Sequence, residues 1–396
     1  MRSETSSVPQ VSSIHQGINM SYPVLRPRPF APTDHAILTG NAASPQRLRW
    51  AIVGTGNISA SHIRAIQAMP EIEIVAGCDI NPERLAWFRT QPGCQQARTY
   101  ADHRELLRKE RLDAVAVCTP NDSHAEISIA ALEAGCHVIV EKPMAMNPAE
   151  CARMIAAARK ANRLLAVGFQ IRYTPAVQMC ARARRKGLLG DILFAKVHAL
   201  RRRGIPNWGV FGQKELQGGG PMIDIGVHWI ESAHYAMGEP KPVAATGRIW
   251  TYLGDKPSQV VSKWPGWDYR HYTVEDLAVG QVRFDNGAIM QIESSFCAHI
   301  EKDRMAWEIL GTKGGFSTDS ETLFLDQADT MLNAQAAYLP SHANPADFIS
   351  KLRDFTNAIR LGTPLCCPGE EGLAVQKIID GIYRSAARNG AEVIIN

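Results

Sequence analysis

No Cys-x-x-Cys pair occurs among the nine cysteines of this 396-residue chain, and their number is odd. That excludes a disulfide framework and a cysteine-built structural zinc, and it points to a reducing, cytoplasmic setting. No apolar run reaches the length of a membrane span. No compact hydrophobic segment reads as a secretory signal, and no internal repeat is visible. Net charge is only +4, whereas a nucleic-acid footprint needs basic residues clustered on one face. The densest basic runs, Arg201-Arg202-Arg203 and Arg184-Arg185-Lys186, are short, and the second reads as the cationic end of a helix. Neither a membrane nor a nucleic acid is therefore an expected partner.

What is present suits a two-domain globular protein. Residues 1–46 stand apart, being rich in Ser and Pro. Pro23, Pro27, Pro29 and Pro32 favour extended chain, so this stretch reads as an extended or disordered N-terminal arm. An arm lying along a partner subunit is the alternative. Strand-like runs follow at Leu48–Val53, Ile72–Cys78, Ala114–Cys118, His137–Val140 and Leu164–Val167. Helical patterns such as Glu126–Ala134 and Pro148–Ala161 separate them. This alternation predicts a doubly wound parallel sheet over residues 47–170, with a ligand crevice at the carboxyl ends of its strands.

From residue 171 onward the pattern changes. Longer alternating runs appear at Ile192–Leu200, Val243–Trp250, Leu277–Phe284, Ala288–Glu293 and Met305–Leu310, and Asp285-Asn286-Gly287 is a hairpin turn between two of them. The fold class is thus α/β: an N-terminal Rossmann sheet, then an α+β domain over 171–396 with a large, open, mostly antiparallel sheet. One helix is expected from Pro221 to about Met237, and two more near Asp347–Leu361 and Gly369–Asn389. The last helices are candidates to pack back on the first domain.

The most specific motif is Gly54-Thr55-Gly56-Asn57-Ile58-Ser59, placed where a strand becomes a helix. Gly54 permits the tight turn, and Gly56 lets backbone amides approach a pyrophosphate at the positive end of the helix. Ser59 replaces the usual third glycine with another small residue. Asp79, about 20 residues on, ends the next strand, where its carboxylate can accept from a ribose diol and would repel a 2′-phosphate. The expected cofactor is NAD.

Three further constellations carry candidate chemistry. Thr119-Pro120-Asn121 sits at a strand end facing the crevice, where Thr119 and Asn121 can reach ribose or phosphates. His124 opens the next helix, with local packing as its bland alternative. Glu141-Lys142-Pro143 follows the next strand. Lys142 can stabilise an alkoxide, hydrogen-bond a substrate hydroxyl or relay a proton, unless the two charges merely pair. Pro143 restricts the preceding backbone, with a cis bond as one outcome. In Gly218-Gly219-Gly220-Pro221-Met222-Ile223-Asp224-Ile225-Gly226-Val227-His228, Asp224 and His228 stand four apart on one helix face. His228 suits proton exchange near neutral pH, and Asp224 can orient it or bind substrate. Two such ligands without a third do not make a metal site.

Taken together, AIVGTGNIS, CTPNDSHAE, ALEAGCHVIVEKPMAMN, GFQIRY, GGGPMIDIGVHWIE and VEDLAVGQVRFDNG resemble the glucose–fructose oxidoreductase, inositol dehydrogenase and rhizopine catabolism family. The resemblance covers about residues 48–396. It implies an NAD-dependent enzyme moving a hydride between a secondary hydroxyl of a sugar, cyclitol or glycoside and the nicotinamide. Lys142, Asp224 and His228 would be the catalytic set. Gly54, Thr55, Gly56, Asn57, Ile58, Asp79, Thr119, Pro120, Asn121, His124, Glu141, Lys142 and Gln170 would contact the cofactor. Arg172, Tyr173 and Trp208 would join Lys142, Asp224 and His228 around the substrate, and Lys214 lies in the Trp208 loop. The antiparallel sheet would also form the interface of a homodimer or homotetramer. The segment Trp264-Pro265-Gly266-Trp267-Asp268-Tyr269-Arg270-His271-Tyr272 departs from the pattern; it either lengthens the pocket or is an aromatic surface loop. A redox-assisted glycosidase that retains NAD, and a non-catalytic NAD-binding regulator, are the competing readings.

Overall fold

The computed structural model describes residues 47–340 and 345–396; the N-terminal arm expected over 1–46 lies outside the described residues. The first part alternates strand and helix: β1 (Leu48–Val53), α1 (Asn57–Gln67), β2 (Ile72–Cys78), α2 (Pro82–Thr90), β3 (Arg98–Tyr100), α3 (His103–Lys109), β4 (Ala114–Val117), α4 (His124–Glu133), β5 (His137–Val140), α5 (Pro148–Ala161) and β6 (Leu165–Val167). The six strands order as β3-β2-β1-β4-β5-β6, all parallel. This is the order of a dinucleotide-binding sheet, whose crevice opens where the order reverses, between β1 and β4. These strands read as unbroken apolar runs because helices cover both of their faces.

The second part begins with α6 (Pro175–Arg185) and β7 (Ile192–Leu200), followed by α7 (Lys214–Gln217), a π-helical turn over Met222–Gly226, and α8 (Val227–Met237). Then come β8 (Pro242–Trp250), β9 (Leu277–Phe284), β10 (Ile289–Ser295), β11 (Arg304–Gly311), β12 (Gly314–Ser317), β13 (Thr322–Gln327) and β14 (Thr330–Gln335). The chain closes with α9 (Ala346–Leu361), α10 (Gly369–Ala386) and β15 (Val393–Ile394). The nine strands order as β14-β13-β12-β11-β7-β10-β9-β8-β15, and only β7 and β10 pair in parallel. One face packs on α8, burying Ala195, Val197, Ile292, Trp307 and Ile309 against Ile230 and Ala233.

The helix α9 returns to the first sheet. Its Phe348, Leu352 and Phe355 share a core with Trp50, Ile52, Ile63 and Phe88, and Phe355 meets Trp50 edge-on at 5.6 Å. The nucleotide-binding sheet is thus finished by a helix from the far end of the chain, and the start of α10 also lies against it, with Gly369 facing Leu165 and Ile155.

Candidate active site

The glycine turn is built as its sequence requires. Gly54 adopts φ +89°, and a Cβ there would stand 2.5 Å from the Cys118 carbonyl carbon, so only glycine lets β1 close on the end of β4. A Cβ on Gly56, by contrast, meets nothing within 4 Å. No side chain caps α1, leaving its first-turn amides available to an anion. Ser59 is buried and donates back to the Gly56 carbonyl at 2.6 Å. Asp79 accepts from the Thr55 amide (2.8 Å), the Thr55 hydroxyl (3.2 Å) and the Asn81 amide (2.9 Å). A carboxylate has about four acceptor positions, so capacity remains for a ribose hydroxyl. Asn57 is exposed at the start of α1 with Ile58 half-buried behind it. Thr119 Oγ1 and Gln170 Oε1 are buried without a protein partner, as polar atoms reserved for a ligand would be. These features fit a dinucleotide.

Other expected cofactor contacts prove to be framework. Asn121 uses its amide to donate to the Gln217 carbonyl (2.9 Å) and side chain (2.8 Å), tying β4's end to the glycine loop at 218–220. The ring nitrogens of His124 lie 2.8 Å from the Pro143 carbonyl and 2.9 Å from that of Thr119. A neutral imidazole donates to only one of these at a time, and burial lowers its pKa. His124 is thus a strut between two site loops, with both ring nitrogens facing protein carbonyls. Glu141 is buried with one carboxylate oxygen 2.7 Å from both His62 Nε2 on α1 and Lys351 Nζ on α9. Burial alone would raise its pKa, but the Lys351 charge and the His62 hydrogen bond outweigh that and hold it below the usual carboxylate range. The His62–Glu141–Lys351 cluster has no local sequence signal, because Glu141 and Lys351 are 210 residues apart.

Lys142 projects from the turn after β5, and its bond to Pro143 is cis. Its ammonium donates to Asp224 Oδ1 (3.0 Å) and to the Asp224 carbonyl (2.9 Å). That carbonyl is reachable because Asp224 lies in the π-helical turn, where the helical ladder is interrupted. A uniform α-helix from Pro221 was expected; the turn gives Asp224 a different job. It grips Lys142, and no hydrogen bond links it to His228 among the described residues, which corrects the idea that it orients the histidine. The glycine loop packs closely behind: a Cβ on Gly220 would lie 2.0 Å from the Glu275 carbonyl oxygen. His228 opens α8, with its Nδ1 buried and unpartnered. Burial, reinforced by the Lys142 charge, holds its pKa well below the ordinary value of 6.5. The ring is therefore neutral near pH 7 and able to accept a proton.

Two residues assigned to the substrate are structural. Arg172 is fully buried and pairs with Glu231, Glu239 and Glu371 and with the Cys366 carbonyl. One guanidinium cannot offset three carboxylates in a buried site, and burial raises Glu231 to about 7 and Glu371 to about 8. Tyr173 donates its hydroxyl to Asp354 on α9 at 3.1 Å. Neither offers a free polar group to a substrate. Trp208 remains available, 39% exposed on the loop after β7, and Lys214 is exposed at the start of α7. A concave patch lined by His103, Arg104, Glu126 and Arg153 lies on the helical flank and contains none of this chemistry.

A Rossmann sheet with a glycine cradle, and a lysine–aspartate pair beside a neutral histidine on a following sheet domain, define a nicotinamide-dependent oxidoreductase. Residues 48–169 match the oxidoreductase family with an NAD-binding Rossmann fold, and residues 177–317 match the GFO/IDH/MocA C-terminal domain. D-glucoside 3-dehydrogenase of Escherichia coli (strain K12) is 32% identical over 348 residues, covering 87% of this chain and 97% of that protein. Levoglucosan dehydrogenase of Pseudarthrobacter phenanthrenivorans is 29% identical, with the same coverage of 87% and 97%. Among solved structures, levoglucosan dehydrogenase in complex with NADH and levoglucosan superposes with a TM-score of 0.75 at 28% identity, covering 88% of this chain and 100% of that one. The chain belongs to the GFO/IDH/MocA oxidoreductase family.

Proposed function

We propose that the protein oxidises a secondary hydroxyl of a sugar, cyclitol or glycoside with NAD. The observation that carries this reading is the Lys142–Asp224 pair set beside a neutral His228 whose Nδ1 has no protein partner. The backbone of Gly54, Thr55, Gly56, Asn57 and Ile58 would hold the phosphates and Asp79 the adenosine ribose. Thr119, Pro120 and Gln170 would flank the nicotinamide half. Bound NAD supplies the hydride acceptor. His228 takes the hydroxyl proton as the carbon loses its hydride, leaving a carbonyl. Lys142 donates a hydrogen bond to the same oxygen and stabilises the developing alkoxide, and Asp224 keeps that ammonium in place. The carbohydrate dehydrogenases among the relatives support the substrate class.

The test is NADH formation across a panel of sugars, cyclitols and glycosides after NAD binding has been shown by calorimetry. NAD binding with no hydride transfer from any of them would overturn the reading. Release of an aglycone without NADH accumulation would replace it with redox-assisted elimination.

We further infer a homodimer or homotetramer built on the larger sheet. Its face remote from α8 exposes Trp250, Leu310 and Phe324, apolar area that a second copy would cover. Sedimentation at micromolar concentration showing only a 43.5 kDa species would refute it. A cytoplasmic setting is the matching inference from nine unpaired cysteines, eight of them buried. Thiol labelling of the protein denatured straight from cells would find all nine reactive.

A further inference from the structure

Next to the catalytic helix the structure holds an arginine with no carboxylate partner among the described residues. Arg201 follows β7, and one of its nitrogens donates to the Gly204 carbonyl at 3.0 Å. Its guanidinium lies over two aromatic rings, Trp264 at 4.9 Å and Phe296 at 5.4 Å. Phe296 is fully buried in a cluster with Ile225, the neighbour of Asp224, and with Trp267 and Tyr272. The Asp224 charge opposes the lowering of the Arg201 pKa by burial, and Arg201 in turn helps lower that of His228. Arg201 is thus electrically part of the site, although it does not pair with either residue.

Outward from Arg201 the aromatic surface continues. Trp264 meets Trp208 edge-to-face, with centroids 4.7 Å apart and planes at 86°, and Phe211 stands 6.1 Å from Trp208. Two loops carry the two indoles, and they are tied together: Asn207 donates from its amide to the Pro265 carbonyl at 2.8 Å. The second loop is anchored by buried Trp267, whose indole donates to the Gly254 carbonyl at 2.8 Å. The indoles therefore form a braced right-angled corner in which Trp208 is 39% exposed, while Arg201 and Lys263, at 5.2 Å, lie over the ring of Trp264. A lone aromatic on a surface loop would lack both this bracing and the unpaired cation.

We propose that this corner is a subsite for a second ring, so that the substrate is a glycoside whose outer ring or aglycone rests on Trp208 and Trp264 while an oxygen near the glycosidic bond accepts from Arg201. The inference rests on the carbohydrate dehydrogenase reading and narrows its substrate class. An indole face attracts the C–H surface of a pyranose or the edge of an aryl ring, and the rigid corner costs little entropy to fill.

The test compares glucose, galactose and mannose, each as the free sugar, the methyl glycoside and the phenyl glycoside, by kcat/KM for NADH formation. For the accepted sugar, the phenyl glycoside should exceed the methyl glycoside by about 10-fold, the scale of one good aromatic contact. Trp264→Ala should abolish that ratio, and Trp264→Phe should keep most of it, which separates a lost ring from a lost fold. Arg201→Leu should lower kcat/KM for both glycosides more than for the free sugar. Equal values for phenyl and methyl glycosides in the unaltered enzyme, or a Trp264→Ala variant that keeps the full ratio, would overturn the proposal while leaving the dehydrogenase reading intact. NAD binding without NADH from any of the nine compounds would overturn both.

Discussion

On the nucleotide side of the site, Asn121, His124 and Glu141 spend their side chains on other protein groups. On the substrate side, among the described residues, His228 keeps a buried nitrogen unpartnered and Arg201 has no carboxylate partner, and Trp208 stands partly exposed. The difference follows from what each side must recognise. A dinucleotide is held largely by backbone amides, a helix terminus and shape, so several side chains there fix the loops, while Thr119 Oγ1 and Gln170 Oε1 stay without a partner among the described residues. A carbohydrate hydroxyl must be gripped and deprotonated by side chains, which therefore stay uncommitted until the ligand arrives.

The sharpest way to break this comparison is to remove the groups proposed to act on the substrate hydroxyl. His228→Ala and Lys142→Ala should each lower kcat by ~10²–10⁴-fold, with NAD affinity by calorimetry held within a few-fold. If NAD affinity falls in parallel, the two sides are not separable. The pH profile gives a second reading of His228. Its lowered pKa keeps the base neutral as pH falls below 6.5, so the acid limb of kcat/KM should lie below that value and vanish in His228→Ala.

A committed residue should behave in the opposite way. Lys351→Met leaves Glu141 buried without its cation, a loss of about 3–5 kcal/mol for a broken buried pair. Denaturant unfolding should show this directly. Unchanged stability would mean that water or His62 compensates.

The two turn glycines sharpen the comparison within the nucleotide side itself. Gly54→Ala drives a Cβ into the end of β4 and strains the backbone, which should cost about 1–3 kcal/mol of stability and disturb everything downstream. Gly56→Ala finds open space in the protein alone, so its melting temperature should stay put while NAD binding weakens about 10-fold. Equal NAD affinity in Gly56→Ala would remove the cradle from that position.

The smallest expected effect is on cofactor choice. Asp79→Ala removes the charge that would repel a 2′-phosphate, and Arg84, 3.5 Å from Asn57 Oδ1, remains nearby as a cation. The preference for NAD over NADP should narrow by several-fold in paired titrations.

The sequence was readable where one physical signal dominates. Buried parallel strands such as Ala114–Val117 show as continuous apolar runs. The Asp285-Asn286-Gly287 turn announced the β9–β10 hairpin, and the glycine turn announced the nucleotide sheet. The short edge strand Arg98–Tyr100 left no pattern, because three residues are too few to alternate. The meander β12–β14 was missed because β12 is short and begins with two glycines, and the last strand is almost wholly exposed. At the site, residue type identified Lys142, Asp224 and His228. It gave no sign of the place of Arg172, which the family resemblance put beside the substrate and which is the hub of a buried ion cluster. Nor did it single out Arg201, whose guanidinium lies over the rings of Trp264 and Phe296. Both errors arise from partners distant in the chain, such as Glu371 for Arg172, 199 residues away.

The return of α9 has a bearing on how this protein is made. Glu141, one residue before Lys142, gains its compensating charge from residue 351, so a ribosome must deliver nearly the whole chain before that carboxylate can be buried in balance. Until then the nucleotide sheet also lacks Phe348, Leu352 and Phe355 over Trp50. The nascent cofactor half is an unfinished object, and residues 47–170 cut out alone would inherit that deficit permanently. A gene shuffled at the apparent domain junction would have to carry its own last helices along.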